Sequence, residues 1–184
     1  MTTPTDDLVR RARTGDAEAW RALYRAHAGR LVVWLGTRPT GDAAVSADDV
    51  AAEAWLVAAR RIAEFDGDDE EFAGWLFGIA RRVGLNLHRR SARRGTTPTE
   101  APPETSHHEG PEESRVAIDW ARQVLQRLPP RERDVVACTE VVGLDVATTA
   151  QALGISAVAV RVARHRGLRR LRDQSDLAGV RPRP

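Results

Sequence analysis

The sequence predicts an all-α protein made of two small helical domains joined by a flexible linker. Apolar residues recur with the 3.6-residue period of a helix through most of the chain, and no segment alternates with the two-residue period of a strand. Residues 95–114 carry four prolines and almost no large apolar side chain, a composition typical of a linker. With 184 residues, 42% of them hydrophobic, the chain can build two small cores.

The N-terminal domain, residues 1–94, is predicted to hold a short helix near Asp6–Arg13 and three amphipathic helices. Asp16 marks the start of the first amphipathic helix, and Ser46 or Asp48 marks the start of the second. The apolar stripe of the first helix comprises Trp20, Leu23, Tyr24, His27, Leu31 and Trp34. That of the second comprises Ala51, Ala54, Trp55, Ala58, Ile62 and Phe65. That of the third comprises Phe72, Trp75, Leu76, Ile79, Ala80, Val83 and Leu87.

After the linker, residues 95–113, the second domain is predicted over 114–173, with a polar tail at 174–184. Pro130 suits the first turn of a helix, and Gly143 separates two helices. The predicted helices are 114–127, 130–141, 146–153 and 157–172.

The last two of these helices form a predicted helix-turn-helix. Asp145 can cap the first helix, Gly154 supplies the backbone freedom of the turn, and Ser156 can cap the second helix. The expected buried positions of the first helix are Val146, Thr149, Ala150 and Leu153.

On the second helix of this motif, Val158 and Val162 share a face with Ile155. The N-terminal residues of such a helix enter the major groove of DNA, so Arg161 and Arg164 are expected to reach bases or phosphates. Further along the helix, contacts to phosphate are expected from Arg166, Arg169, Arg170 and Arg172.

Charge is segregated along the chain. All 28 basic residues are arginine, and 26 acids reduce the formal net charge to +2. Residues 81–94 and 161–172 each carry six arginines and no acid, whereas 64–71 carry six acids and 95–114 five glutamates, both without arginine. These blocks predict localised interaction surfaces rather than a uniformly basic shell.

Residues 128–172 (LPPRERDVVACTEVVGLDVATTAQALGISAVAVRVARHRGLRRLR) resemble region 4 of bacterial sigma factors. Residues 7–31, 48–67 and 72–94 resemble region 2 of the same family. Two such regions joined directly are similar to the extracytoplasmic-function (group 4) class. The resemblance implies a non-enzymatic subunit that directs core RNA polymerase to promoter DNA. The linker would also let an anti-sigma factor hold the two domains together.

The resemblance implies three functional surfaces. The segment matching region 2.2 would dock on the β′ clamp helices of the polymerase, which also contacts sigma through its β subunit; its residues are Asp49, Glu53 and Trp55. The −10 promoter element would be held by Arg81, Arg82, Asn86, Arg89 and Arg90, with His88 beside them. The −35 element would be held by Ser156, Ala157, Arg161, Arg164, His165 and Arg166.

Three segments depart from the family pattern. Residues 36–47 (GTRPTGDAAVSA) are slightly longer and more irregular than usual, which leaves the start of the region 2.2 helix open. The loop at 66–71, which in the family helps capture a flipped −10 base, is unusually acidic and so cannot itself grip phosphate. Trp75, which matches the same region, lies on an apolar stripe and is expected in the core. The recognition helix often carries Lys-Ser-Arg-Leu in the family, where this chain has residues 161–164 (RVAR), which leaves its DNA-facing register and its −35 preference open.

Two other classes of function remain as alternatives. An operator-binding helix-turn-helix regulator would share 144–172 but would have no use for a second basic block at 81–94. A protein that only binds other proteins would show no promoter-dependent activity.

Catalysis is disfavoured, because the chain has no glycine-rich phosphate loop, no nucleophile elbow and no histidine pair at ligand spacing with an acid or cysteine. We therefore expect neither a cofactor nor a metal. The single cysteine, Cys138, excludes an internal disulfide. The polar start and the short apolar runs favour a cytoplasmic protein.

Overall fold

The structure is a computed structural model that describes residues 7–38, 45–94 and 112–177. Within these ranges the chain forms helices and short turns, and no strand occurs in them. A 3₁₀ turn, Ile62–Glu64, and a π-helical segment, Ala137–Val141, follow the third and sixth helices. The helices are α1 (Leu8–Arg13), α2 (Ala17–Gly36), α3 (Ala47–Arg61), α4 (Asp69–Arg94), α5 (Glu112–Gln126), α6 (Pro130–Val136), α7 (Val146–Leu153) and α8 (Ala157–Leu177).

Side-chain caps start α2 and α3 at the predicted residues. The Asp16 carboxylate accepts hydrogen bonds from the backbone N–H groups of Glu18 and Ala19, at 2.8 and 3.2 Å. Ser46 and Asp49 cap α3 reciprocally. The Ser46 hydroxyl accepts from the Asp49 N–H at 3.0 Å, and the Asp49 carboxylate accepts from the Ser46 N–H at 3.3 Å. These bonds satisfy donors that a first helical turn leaves free.

Aromatic rings form the centre of the N-terminal core. Phe72 is fully buried, and the rings of His27 and Trp55 lie 5.5 and 6.2 Å from it. Phe65 stacks on Trp75 at 4.5 Å with the ring planes 21° apart. Both tryptophans pack against the core but stay partly exposed.

The predicted helix 130–141 changes its hydrogen-bond pattern half-way. It begins at Pro130, as expected, but continues from Ala137 as a π-helical segment. The Val142 N–H donates to the Ala137 carbonyl at 3.1 Å, and the extra residue in that turn leaves both Cys138 and Val142 buried before the chain reverses at Gly143, whose φ is +72°. Burial raises the pKa of the Cys138 thiol to about 12.

The helix-turn-helix has the predicted caps. The Asp145 carboxylate accepts from the Thr148 N–H at 2.8 Å, and the Ser156 hydroxyl accepts from the Ala159 N–H at 3.2 Å. Gly154 adopts a left-handed conformation with φ +66°, as the turn requires. The predicted helix 157–172 is longer than expected and ends at Leu177.

The side of α8 expected to carry Val158 and Val162 faces solvent. Both valines are exposed, and Ile155, expected on the same face, is half-buried. Val160 and Ala163 turn into the core instead, because the side of α8 that carries them faces α6 and α7. The exposed side of α8 therefore contains an apolar pair.

The helices on the two sides of the linker pack against each other. The first half of α4 lies on α7, and the buried residues of both units form one continuous apolar cluster. Gly74 allows this approach, since a Cβ there would collide with the Gln151 side chain. A Cβ at Gly78 would lie in ordinary contact, 3.7 Å from the Ala152 carbonyl oxygen, so larger side chains at this position would press against α7.

Arginines of both units add polar contacts across this junction. Arg30 donates to the carbonyl oxygens of Val142 and Gly143, at 3.3 and 3.2 Å. Arg122 donates to the Gly36 carbonyl at 2.7 Å. These bonds satisfy carbonyls at helix ends and turns that would otherwise lack partners at the junction.

Most of the predicted linker, residues 95–111, lies outside the described residues, and α5 begins at Glu112, two residues before the expected start. Within the described ranges, no single helix is long and apolar enough to cross a membrane; α7 and α8 reach that length and composition only as a pair bent by 101°.

Candidate nucleic-acid and protein interfaces

The exposed face of α8 is a mixed basic and apolar stripe. Val158, Val162, His165 and Arg169 are all exposed and follow one another at helical spacing, so they share a face. Arg161 is exposed on the flank of this stripe. The opposite side of the helix is buried and carries Val160, Ala163 and Gly167.

Arg164 is held away from this stripe by an acid of its own unit. Its Nε donates to the Glu140 carboxylate at 2.5 Å, and this guanidinium holds the pKa of Glu140 below its usual range. Arg170 similarly pairs with the buried Glu132 at 2.9 Å. Of the residues predicted for the −35 element, Ser156 caps α8 and Ala157 is half-buried. Arg161, His165 and Arg166 are exposed, and no acid among the described residues forms an ion pair with them.

The second half of α4 carries another basic stripe. Arg82, Asn86, Arg89 and Arg90 are exposed, and their spacing puts them on one side of the helix with the exposed Leu85 between them. No acidic residue lies in 81–94. An amide and three guanidinium groups in this arrangement can bind a DNA backbone and reach a base edge.

Arg81 and His88 point elsewhere, although the sequence groups them with this stripe. They line a cavity of about 130 Å³ between α2, α3 and α4, together with Arg38, Val50 and Ala80. Within the described residues, the Nε of Arg81 and the Nδ1 of His88 are buried without a hydrogen-bond partner. Arg81 therefore does not lie on the exposed stripe that carries the other predicted −10 residues.

The predicted polymerase-binding residues lie on α3. Asp49 is exposed but shares its carboxylate with the Ser46 cap, and Glu53 is half-buried. The Trp55 ring lies 5.0 Å from the ring of Tyr24 on α2. Tyr24 is 52% exposed, so its contact with the half-buried Trp55 lies at the surface where α2 and α3 meet. Leu56 is also 52% exposed, and it recurs with Asp49 and Glu53 at helical spacing on another side of α3.

Comparison with known proteins matches two family models to the chain. The model for Sigma-70 region 2 matches residues 23–94, and the model for Sigma-70, region 4 matches residues 118–171. The ECF RNA polymerase sigma factor SigD of Mycobacterium tuberculosis (strain H37Rv) is 33% identical over 180 residues, which cover 95% of this chain and 85% of SigD. The chain belongs to the ECF RNA polymerase sigma factors.

Other sigma factors extend the similarity. ShbA of Streptomyces griseus, also named as an ECF RNA polymerase sigma factor, is 34% identical over 182 residues, covering 93% of this chain and 95% of ShbA. Among solved structures, CnrH in complex with the cytosolic domain of CnrY has a TM-score of 0.65 at 23% identity, covering 92% of this chain and 96% of CnrH. RpoE in complex with the anti-sigma factor NepR from Bartonella quintana has a TM-score of 0.61 at 14% identity, covering 90% of this chain and 100% of RpoE. These two structures support the all-α fold.

In this sigma factor the acidic segment 66–71 has a structural use. The Asp69 carboxylate accepts hydrogen bonds from the N–H groups of Leu8 and Val9, at 2.9 and 2.7 Å, and so caps α1. Asp68 and Glu71 cap the start of α4: the Asp68 carboxylate accepts from the Glu71 N–H at 3.0 Å, and the Glu71 carboxylate accepts from the Asp68 N–H at 3.4 Å. Three of the acids thus satisfy backbone donors.

Arg13 supports the same loop from α1. Its guanidinium donates to the carbonyl oxygens of Phe65 and Gly67 and lies 5.9 Å from the centre of the Phe65 ring. The loop is therefore attached to α1 at several points.

Three features of these surfaces differ from the sequence-based expectation or lie beyond it. Tyr24, expected in the buried stripe of α2, is 52% exposed. Leu56 is equally exposed, which agrees with its position outside the stripe of Ala51, Ala54 and Ala58. The ion pair of Arg164 with Glu140 joins residues 24 positions apart, and no local sequence pattern predicts it.

Proposed function

We propose that this sigma factor binds core RNA polymerase through α2 and α3, holds the −10 element on α4 and holds the −35 element on α8. The observation that carries the proposal is the presence of exposed arginines on one side of each of two separate helices, α4 and α8, one in each matched sigma region. An operator-binding regulator would need only one such stripe, and the two sigma regions in order on one chain do not favour that alternative.

For the −10 element, the proposed contacts are Arg82, Asn86, Arg89 and Arg90. Support comes from their common exposed side of α4, on which the arginines can neutralise phosphates while Asn86 forms hydrogen bonds with a base edge. Arg81 takes a different part: together with His88 it lines the cavity beneath the stripe and supports α4 against α2 and α3.

For the −35 element, the proposed contacts are Arg161, His165 and Arg166, with Ser156 and Ala157 at the start of the helix near the DNA backbone. Support comes from the exposure of the three basic residues and from the positive end of the α8 dipole, which lies at the start of the same helix. Arg164 is proposed to strengthen the surface only when it leaves Glu140.

For polymerase, the proposed docking surface lies on α2 and α3. It comprises the contact of Tyr24 with Trp55 and the side of α3 that carries Asp49, Glu53 and Leu56. A partly exposed aromatic contact, together with an exposed aliphatic side chain and two acids on an adjoining side of α3, has the composition of a protein interface. The β′ clamp helices and the β subunit of the polymerase are the proposed partners, and the cytoplasm is the proposed location. An anti-sigma factor that binds both units is a further proposed partner.

In vitro run-off transcription with core polymerase tests the function. The chain with core polymerase is expected to start transcription at specific promoters, whereas the chain alone binds duplex DNA weakly. Arg82→Ala combined with Arg89→Ala should weaken open-complex formation by about 1–3 kcal/mol, because two phosphate or base contacts are lost.

Arg127→Ala combined with Arg131→Ala is the matched control, since both arginines are exposed and lie outside α2, α3, α4 and α8. Specific, tight operator binding by the chain without polymerase would contradict the proposal.

A further inference from the structure

The exposed side of α8 presents two valines where a solvent-facing helix ordinarily carries polar residues. Val158 is 65% exposed and Val162 is 43% exposed, and a separation of four residues puts them one turn apart on the same face. They do not contribute to the core, which takes Val160 and Ala163 from the other side of the helix. Stability does not explain this pair, because a β-branched residue lowers helix propensity and gains nothing from packing when exposed.

Charge surrounds the valine pair on α8. Arg161 lies between the two valines along the chain, and His165 and Arg166 follow within the next turn; all three are exposed. No acid occurs between 156 and 172. A short apolar strip with a basic border fits the major groove, in which phosphates line the edges and the 5-methyl groups of thymine are the apolar features of the floor.

The ion pair of Arg164 with Glu140 reduces the number of side chains on α8 that can compete with the valines for contact with bases. Because Arg164 forms an ion pair with Glu140, the side chains left to face bases on the first turns of α8 are those of the valine pair and Arg161. Of these three, only the valines can make apolar contact with a base.

We propose that Val158 and Val162 read the 5-methyl groups of thymines in the −35 element, and so determine part of its sequence preference. The inference rests on the proposed function, in which α8 binds that element. Four residues of helix span about 6 Å, and base pairs are stacked 3.4 Å apart, so the two thymines are expected within one or two base pairs of each other, on either strand.

The experiment starts with a selection. Holoenzyme made from core polymerase and the full chain is used to select transcribed templates from a promoter library with a randomised −35 element. The selected element is expected to contain thymine at two neighbouring positions. These thymines are then replaced one at a time by deoxyuridine, which keeps every hydrogen-bonding group and lacks only the methyl group.

Each replacement is expected to reduce initiation about three- to fivefold, since a buried methyl contributes about 0.8 kcal/mol. Val158→Thr and Val162→Thr keep the branched shape and replace a methyl by a hydroxyl. Each variant should remove the difference between thymine and deoxyuridine at one position and leave it at the other.

Val141→Thr is the matched variant, because Val141 is exposed on the π-helical segment and not on α8. It should preserve both differences. Deoxyuridine placed between the −10 and −35 elements controls for effects on the template.

Equal initiation from thymine and deoxyuridine templates, with selection still yielding a defined −35 element, would overturn the inference and leave the proposed function intact. The same conclusion follows if the threonine variants lose polymerase binding but keep the methyl preference, since the valines would then serve a protein contact. If wild-type holoenzyme selects no −35 sequence at all, the proposed function fails and the inference fails with it.

Discussion

At the scale of single residues, burial determines the charge of His27. Its ring lies against Phe72 in the N-terminal core, and desolvation, together with the neighbouring Arg30, lowers its pKa from 6.5 to about 4, although Asp69 acts in the opposite direction. The ring is therefore neutral in the folded protein at pH 7. In the unfolded chain the same histidine takes up a proton at a higher pH.

This difference predicts a dependence of stability on pH. Because the folded pKa lies below the unfolded one, the contribution of His27 is fully present above pH 6.5 and is lost as the pH falls towards 4. The free energy of unfolding should fall by about 1–2 kcal/mol between pH 7 and pH 5 from this residue, after allowance for its partial exposure to solvent.

Urea unfolding of the wild type and of His27→Gln at both pH values measures this contribution. The variant should lose less stability than the wild type over the interval. His165→Gln, which changes an exposed histidine on α8, should behave as the wild type does. An identical loss in the wild type and in His27→Gln would contradict the prediction.

At the scale of elements, the helices depend on caps from near and far in the sequence. Asp16, Ser46, Asp145 and Ser156 cap helices within three residues of themselves, which is why the sequence alone predicts them. Asp69 differs, since it caps α1 from a position 60 and 61 residues away. Its position within a run of acids in the sequence does not predict that it caps α1.

Asp69→Ala is expected to detach α1 from the start of α4. Two N–H groups of α1 would lose their acceptor, so the free energy of unfolding should fall by about 1–3 kcal/mol. Glu70→Ala, which removes an exposed acid from the same run, should change it by less than about 0.5 kcal/mol. Chemical denaturation followed by far-ultraviolet circular dichroism compares the two variants, and equal effects would contradict a capping role.

At the scale of the whole molecule, the two sigma regions share one apolar core, with α4 packed on α7. A compact chain of this length has a radius of gyration of about 16 Å. The −10 and −35 elements lie about 25 base pairs apart, or about 85 Å along the duplex. Because a compact chain of this size is much shorter than that span, we expect the contact between α4 and α7 to open when the holoenzyme binds a promoter.

Energy transfer between two dyes tests this opening. Cysteines introduced at the exposed positions Glu18 and Gln123 can be labelled selectively, because Cys138 is buried and its pKa is about 12. Transfer should fall when core polymerase and promoter DNA are added. Gly78→Leu, which inserts a side chain against α7, should lower transfer in the free protein by destabilising the packed state by about 1–3 kcal/mol.

Gly29→Leu is the matched control, since a Cβ there meets no atom within 4 Å. It should leave transfer unchanged. The contradicting result is equal energy transfer in the free wild type, in the free Gly78→Leu variant and in the wild-type promoter complex. It would show that the packed arrangement does not open.

The sequence by itself determined the helices, most of their caps, the helix-turn-helix turn at Gly154 and the two arginine blocks. Each of these depends on residues within a few positions of one another, through helical periodicity, capping hydrogen bonds or a left-handed glycine.

Only the tertiary structure decided which sides of α4 and α8 are exposed. It separated Arg81 from the other −10 residues, paired Arg164 with Glu140, turned Val158 and Val162 outwards and packed α4 on α7. The physical reason is that these features depend on contacts between residues distant in the chain. A helix with apolar residues on more than one side can be buried along any of them until its neighbours are in place.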